Sequence, residues 1–392
     1  MSDQNVLVVG GGIGGVCAAL CFARRGFDVH VFEQATDFGA TGAGIQLTPN
    51  ATRVLHDLGL EDALREVAVL PEAVEMREWN SGRTLTSNPL GTQLVADYGF
   101  PYYHVHRTDL MQVLVNAART QSGIRLHSSA AVRSIDRSDF GVSLDAAGKH
   151  YQGALLIGAD GIHSMVRTDL FGPEAPRFTG NVAWRCLVQA DQLPQGLVHR
   201  VASVWWGPHK HFVHYYVRGG ALVNCVCVVE KDGWEVESWN ERGDHAELKA
   251  DFAGWHETVG ALIDNMDPEE CFKWALFDRA PMPRWSQGRV TLLGDACHPT
   301  LPFMAQGAAM AIEDGAVLCR CVFEGDDIAR SLQRYESLRR QRTARIQRGS
   351  RRNAKVFHLS GISARVRNRV VGRARGQIMD WLYRYDALDE SR

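Results

Sequence analysis

The chain has 392 residues, 45% apolar and 22% charged, which is the make-up of a globular protein and excludes a disordered or collagen-like chain. At about 150 residues per domain, this length suggests two to three domains, with a core that needs no disulfide or zinc support. Lys and Arg number 43 against 45 Asp and Glu, and the formal charge of −2 excludes the strongly basic surface of a general nucleic-acid binder.

No run approaches the ~18 consecutive apolar residues of a membrane span, and the N-terminus lacks the basic and apolar regions of a secretory leader. Nine cysteines spread along the chain read as reduced thiols. A cytoplasmic protein is expected, with neither membrane nor nucleic acid as a partner. Cys225/Cys227 and Cys319/Cys321 are C-x-C pairs without a second pair at zinc-finger spacing, so no metal site is expected there.

Residues 5–9 (NVLVV) are a β-branched apolar run ending at a glycine cluster, the pattern of a buried parallel strand. Gly10-Gly11-Gly12-Ile13-Gly14-Gly15 follows, then a helical stretch to Gly26 and a second strand over 28–34. This βαβ unit carries G-x-G-x-x-G at Gly10, Gly12 and Gly15. The first glycine permits a tight turn and the second lets the backbone approach a pyrophosphate. The third lets the helix pack on the strand, and the helix N-terminus favours the negative charge. Glu33, 23 positions after Gly10, is placed to accept hydrogen bonds from an adenosine ribose. A dinucleotide is expected; NAD and FAD both stay open at this point.

Two later stretches repeat the theme of strand, then glycine. Residues 154–167 run from a strand into Gly158-Ala159-Asp160-Gly161 and a helix; residues 289–318 run from a strand into Gly294-Asp295, a loop with two prolines, and a helix opening near Gly307. Between them, residues 178–280 are rich in Trp, Tyr, Val and His, and 209–230 reads as an antiparallel hairpin about Arg218-Gly219-Gly220. This order predicts a nucleotide-binding domain of 1–70, 101–177 and 281–360. It is interrupted by a β-rich domain of 71–100 and 178–280 and followed by a helical segment, 361–392. The Arg-rich stretch from Ile328 onward reads as a solvated helix face, since the chain as a whole is not basic.

Gly158-Ala159-Asp160-Gly161 with Ser164 and Arg167, and Gly294-Asp295 with His298-Pro299, resemble the second and third signatures of the class A flavoprotein aromatic hydroxylases. The three motifs come in that family's order and bracket nearly the whole chain. The resemblance implies an α/β fold: a Rossmann-type FAD-binding domain like that of p-hydroxybenzoate hydroxylase, an inserted β-rich substrate domain and a C-terminal helical segment. It also implies FAD as cofactor and NADH or NADPH as co-substrate, and the lack of a second G-x-G-x-x-G fits a nicotinamide that docks transiently.

The cofactor residues this implies are Gly10, Gly12, Gly14, Gly15, Glu33, Gln34, Val132 and Asp160, with Arg107 at the phosphate and ribityl region. Gly44, Ile45 and Gln46 belong to the loop 42–46 beside the isoalloxazine. Asp295 is placed to accept from a ribityl hydroxyl, and the helix opening at Gly307 and Ala308 to aim N–H groups at the flavin's carbonyls.

Such an enzyme oxygenates an electron-rich ring, and a phenol reacts far better as phenolate, so a base of tuned pKa is expected. Water must also be kept out. In the strand 209–217, alternation puts His211, Val213 and Tyr215 on one face, and His214 and Tyr216 on the other. The segment WWGPHKHFVHYYVRGG is similar to the pocket strand of salicylate, 3-hydroxybenzoate and 6-hydroxynicotinate hydroxylases. That similarity implies that His211 and Tyr215 contact the substrate and help deprotonate it; by themselves the residues also fit aromatic packing. His214 lies on the opposite face from His209 and His211, which argues against a three-histidine metal site.

His298 is expected to shape its loop by a hydrogen bond, Pro299 and Pro302 to stiffen it, and Cys297 to be core. Arg185 is a candidate for a substrate carboxylate. Gln46 stands where the hydroxynicotinate enzymes carry a histidine base, which favours a hydroxybenzoate. Salicylate, decarboxylated to catechol, is expected first, with 3-hydroxybenzoate 6-hydroxylation or 6-hydroxynicotinate 3-hydroxylation as alternatives, in a monomer or homodimer. An NAD-dependent dehydrogenase would leave the second and third motifs unexplained. A non-enzymatic flavin-binding interaction protein, with the Arg-rich tail as its partner surface, is the remaining alternative.

Overall fold

A computed structural model describes residues 5–39, 42–231, 233, 241–372 and 379–389. The short apolar strands form a six-stranded sheet in the order Ser286–Gln287, Val290–Leu292, Leu155–Gly158, Asn5–Val9, Asp28–Phe32, Ile124–His127. All neighbours are parallel except the Ser286–Gln287 edge. Leu7, Val8, Leu156 and Ile157 are fully buried, as both faces of a parallel sheet require. The three strands that precede the glycine motifs are adjacent in this sheet. Their turns therefore emerge side by side at its carboxyl edge, where open α/β sheets bind ligands.

The segments rich in Trp, Tyr and Val build a second sheet of seven strands. Its order is Phe272–Asp278, Arg177–Gln189, Leu222–Glu230, Lys210–Val217, Ala202–Gly207, Ala73–Glu78, Thr84–Pro89. The hairpin about residues 218–220 is present, with Val217 paired to Leu222 and positive φ at Gly219 and Gly220. Residues 71–100 supply two of the strands, and also a helix, Gly91–Tyr98, that the sequence did not suggest. One face of this sheet packs Trp184, Trp205, Phe212, Cys225 and Cys227 against Leu248, Val259 and Leu262 of two helices. The other face carries His211, Val213 and Tyr215.

The Arg-rich stretch is a 30-residue helix, Ile328–Phe357, followed by Gly361–Val371. Part of it is the solvated face expected, with Arg330, Arg340, Arg345, Arg348 and Arg352 exposed, and part is not. Arg339 is fully buried and Arg342 nearly so, because Glu313 and Asp314 of the helix Gly307–Glu324 neutralise them. No sequence window shows partners that distant. All nine cysteines are buried and unbridged. Among the described residues no helix is long and apolar enough to cross a membrane.

Candidate active site

A cavity of about 2000 Å³ lies between the glycine turns, the open face of the seven-stranded sheet and the long helix. A pocket for one drug-sized ligand is about 300–1000 Å³, so there is room for a dinucleotide and a small substrate together. Of the site residues expected from the sequence, all but Gly15 and Arg185 line this cavity.

The first wall is made of backbone. Gly10 has φ +105°, and a Cβ there would sit 2.3 Å from the carbonyl oxygen of Ala159, so the first motif can pass the second only as glycine. A Cβ on Gly12 would meet nothing within 4 Å, and Gly12 opens directly on the cavity. Gly15 corrects the expectation of cofactor contact: a Cβ there would lie 2.0 Å from the Gly10 carbonyl, so this glycine serves helix packing behind the wall. Glu33 accepts from the N–H groups of Gly11 (2.8 Å) and Ala35 (2.9 Å), which fixes its carboxylate at the cavity edge. Arg167 of the second motif donates to the carbonyl of Ala296 in the third (3.1 Å), tying the two turns together.

Two buried polar atoms on this wall lack a partner in the protein, Nε of Arg107 and Oδ1 of Asp160. Leaving such atoms unsatisfied is costly, and both point to a polar ligand. Burial pulls the Arg107 guanidinium down, with Asp295 opposing, and burial raises the carboxyl of Asp160. The carboxyl of Asp295 faces the cavity; its depth in the protein raises it, while His298 and Arg107 draw it back.

At the far end, Gly307 and Ala308 begin the 18-residue helix Gly307–Glu324, whose N-terminus carries partial positive charge. Its cap residue, Gln306, is held by Thr48 Oγ1 (3.0 Å) and Asn50 Nδ2 (3.2 Å). Behind it, Glu313 takes Arg342 at two oxygens (2.7 and 2.8 Å), and Asp314 takes Arg339 (2.7 Å) and His298 (2.5 Å). His298 thus stands off the cavity, bonded to Asp314. Cys297, His298 and Asp314 come within 4.8 Å of one another, but Arg339, His298 and the Gly294 N–H already occupy both oxygens of Asp314. An open glycine turn, a partnerless guanidinium nitrogen and a helix N-terminus in one cavity fit a long pyrophosphate dinucleotide such as FAD.

The second wall is made of side chains. His211, Val213 and Tyr215 share the cavity face of their strand, with Phe303 and Phe357 opposite. His214 points the other way, against Trp205 and Phe212. His211 is bonded through Nδ1 to Nε2 of His358 (2.8 Å). Burial, and then His358, holds its imidazole well below the usual range, so it is neutral near pH 7. Burial pushes the Tyr215 phenol up, which makes it a hydrogen-bond donor rather than a group that takes a proton. Its ring packs 4.3 Å from that of His104. Gln46 accepts from the Tyr102 hydroxyl (2.7 Å).

Arg185, a candidate carboxylate ligand by sequence, takes instead the packing role usual for a strand arginine. It lies over the rings of Phe272 (5.1 Å) and Trp274 (5.8 Å), which hold it within the sheet and away from the cavity wall. Sequence reasoning missed Arg345, Arg348 and Arg352 at the cavity mouth, where no ion pair holds them among the described residues. Their spacing of three and four was a legible sign of one shared helix face.

The match to known proteins agrees with this geometry. A family model described as FAD binding domain covers residues 3–350. The chain is 40% identical to a 3-amino-4-hydroxybenzoate 2-monooxygenase of Streptomyces platensis, over 98% of this chain and 96% of that one. It is 39% identical to a 6-hydroxynicotinate 3-monooxygenase of Pseudomonas fluorescens, over 90% and 91%. It is 38% identical to a 3-hydroxybenzoate 6-hydroxylase of Polaromonas naphthalenivorans, over 97% and 96%. Among solved structures it resembles Klebsiella pneumoniae HpxO complexed with FAD and uric acid (TM-score 0.84, 26% identity, 95% of this chain and 93% of that one). It also resembles a salicylate hydroxylase substrate complex (TM-score 0.82, 26% identity, 98% and 96%). With one cavity joining three glycine turns to an aromatic-lined pocket, the chain belongs to the FAD-binding-domain family and is an FAD-dependent aromatic monooxygenase that uses NAD(P)H as co-substrate.

Proposed function

We propose that this enzyme hydroxylates a small phenolic carboxylate, with His211 as the base that forms the phenolate. The carrying observation is a neutral imidazole on the cavity wall, engaged at Nδ1 and so presenting Nε2 to a ligand. Bound FAD, once reduced by NADH or NADPH, supplies the activated oxygen. Gly10, Gly12, Gly14, Glu33, Gln34 and Val132 would hold its adenosine end, and Arg107, Asp160 and Asp295 its phosphate and ribityl region. Gly44, Ile45, Gln46 and the N–H groups of Gly307 and Ala308 would hold its ring. In this reading residues 1–70, 101–177 and 281–360 hold the cofactor, and residues 71–100 and 178–280 hold the substrate.

On the substrate, Nε2 of His211 takes the hydroxyl proton while Tyr215 donates a hydrogen bond. Phe303, Phe357 and Trp206 exclude water around them. Arg348 and Arg352 favour entry of an anionic ring acid at the mouth. The relatives named above act on 3-amino-4-hydroxybenzoate, 6-hydroxynicotinate and 3-hydroxybenzoate, all ring carboxylates. Gln46 cannot take a proton, which favours the hydroxybenzoates. We place these hydroxybenzoates first, since the 3-amino-4-hydroxybenzoate and 3-hydroxybenzoate relatives are 40% and 38% identical over 98% and 97% of the chain. Salicylate is the second reading, on the structural likeness at 26% identity.

The test is oxygen uptake and NADH or NADPH oxidation, with product analysis, across salicylate, 3-hydroxybenzoate, 3-amino-4-hydroxybenzoate and 6-hydroxynicotinate. Coupled hydroxylation of a hydroxybenzoate is expected. Reductant consumption without any hydroxylated product across the panel would sink the substrate class, and full coupled activity in His211→Ala would sink the base.

A further inference from the structure

His211 is the cavity end of a chain of polar groups that reaches the surface. Its Nδ1 lies 2.8 Å from Nε2 of His358, and Nδ1 of His358 lies 2.9 Å from Oε1 of Glu230. The second oxygen of Glu230 lies 2.8 Å from Nδ1 of His209. These residues come from the turn and strand at 209–217, the end of the strand Leu222–Glu230, and the C-cap of the long helix. The backbone holds the same group together: the N–H of His209 donates to the carbonyl of His358 (3.0 Å), and the N–H of Glu230 to that of His209 (2.9 Å). Exposure rises outward, from 2% for the His358 side chain to 42% for Glu230 and 65% for His209.

The direction of these bonds follows from Glu230. A carboxylate only accepts, so His358 donates to it from Nδ1. The other nitrogen of a neutral His358 then holds a lone pair and accepts from the Nδ1–H of His211. His211 is left with its lone pair on Nε2, the nitrogen that a ligand in the cavity meets. One surface glutamate therefore sets the tautomers of two buried histidines.

We propose that Glu230 and His358 are positioning residues that hold His211 in its basic tautomer and carry the substrate's hydroxyl proton from the cavity to solvent. This rests on His211 being the base. The substrate O–H bond breaks, its electron pair stays on the phenolate oxygen, and the proton forms the Nε2–H bond of His211. The Nδ1 proton of His211 passes to Nε2 of His358, and the Nδ1 proton of His358 passes to Glu230 and then to water. No electrons are gained or lost. Run in reverse, the path returns one proton to the product and restores both tautomers.

The surroundings suit this path. His211 faces one titratable neighbour, His358; His358 faces Glu230, His209 and the Arg367 guanidinium; Glu230 faces His209 and His358. Lys231, the next residue along, is taken by Glu247 and Asp251. Burial lowers His358, with Glu230 opposing, so it stays neutral. Burial raises the Glu230 carboxyl, but the bonds from His209 and His358 outweigh it and keep it ionised.

The test mixes FAD-loaded enzyme with salicylate, 3-hydroxybenzoate and 6-hydroxynicotinate in a stopped-flow instrument and follows the ring-oxyanion absorbance. The pH profile and solvent deuterium effect on kcat are measured alongside. Glu230→Gln keeps an acceptor oxygen without the charge and, lying at the surface, folds even if a His358 variant does not. Glu230→Gln and His358→Gln are expected to slow oxyanion formation at least tenfold at unchanged flavin content, and imidazole to restore His358→Ala. Wild-type oxyanion formation and an unchanged deuterium effect in both Gln variants, with the signal lost in His211→Ala, would overturn the relay alone. Oxyanion formation retained in His211→Ala would instead overturn the base assignment itself.

Discussion

Two buried polar chains lie beside this cavity, and they are built differently. Behind the helix Gly307–Glu324, Glu313 and Asp314 are closed in by Arg339, Arg342, His298 and Asn50, with both carboxylates and Arg339 fully inaccessible to solvent. Beside the substrate wall, His211, His358 and Glu230 run outward to an exposed histidine. In the closed chain each charge has a fixed opposite charge, so it can hold a helix in place but offers a proton no exit. In the open chain two neutral imidazoles lead to a partly exposed carboxylate, so it stabilises little and can pass a proton. Burial of polar groups thus serves anchoring in one region and exchange in the other.

The largest effect that separates them is on stability. Arg339→Met leaves two carboxylates with one fewer partner in the core and is expected to cost about 3–5 kcal/mol in urea unfolding. A cost below about 1 kcal/mol would erase the contrast.

Acid comes next. Burial opposes the charge on Asp314, but His298 and Arg339 win and hold its pKa at about 2, below the usual 3.8 of an aspartate. A depressed carboxyl stabilises the fold above its unfolded pKa, and that contribution is lost as pH falls from about 4 toward about 2. About 2–3 kcal/mol should disappear over this window. The slope should flatten in Asp314→Asn, as read by unfolding at each pH.

In the open chain, Glu230→Gln should change stability by less than about 1 kcal/mol, because its bonds to His209 and His358 are partly exposed. A larger loss would make Glu230 a structural anchor like Asp314. The smallest effect is expected at the cavity mouth. Arg352→Ala should raise KM for a hydroxybenzoate by about two- to fivefold with kcat nearly unchanged, in keeping with a charge worth about 0.5–1 kcal/mol. Equal loss in kcat would place Arg352 at the reacting ring instead.

The glycine motifs were legible because their requirement is local. Gly10 needs a positive φ and Gly12 needs open space, and both demands are written in the residue type. Strand alternation likewise placed His211 and Tyr215 on one face and His214 on the other, because a two-residue period survives folding. Gly15 was counted with the contact set by resemblance, while its packing role, read from the motif itself, is the one the fold shows. Arg185 was offered for a carboxylate because the rings of Phe272 and Trp274, nearly ninety residues on, are invisible from its own strand. The long helix misled most. Its arginines at 339 and 342 look like those at 330 and 340, and only the helix packed against them decides which are core.

The sequence by itself determined a dinucleotide site and the order of the three glycine motifs, since turns, strand periods and glycine spacing are properties of short segments; FAD over NAD came from the resemblance those motifs carry. Only the tertiary structure decided which nitrogen of His211 faces the cavity. That depends on His358 and Glu230, which meet across 128 residues of chain, and on His358 meeting His211 across 147. Contacts of that separation arise when the seven-stranded sheet and the long helix pack together, and no local propensity encodes them.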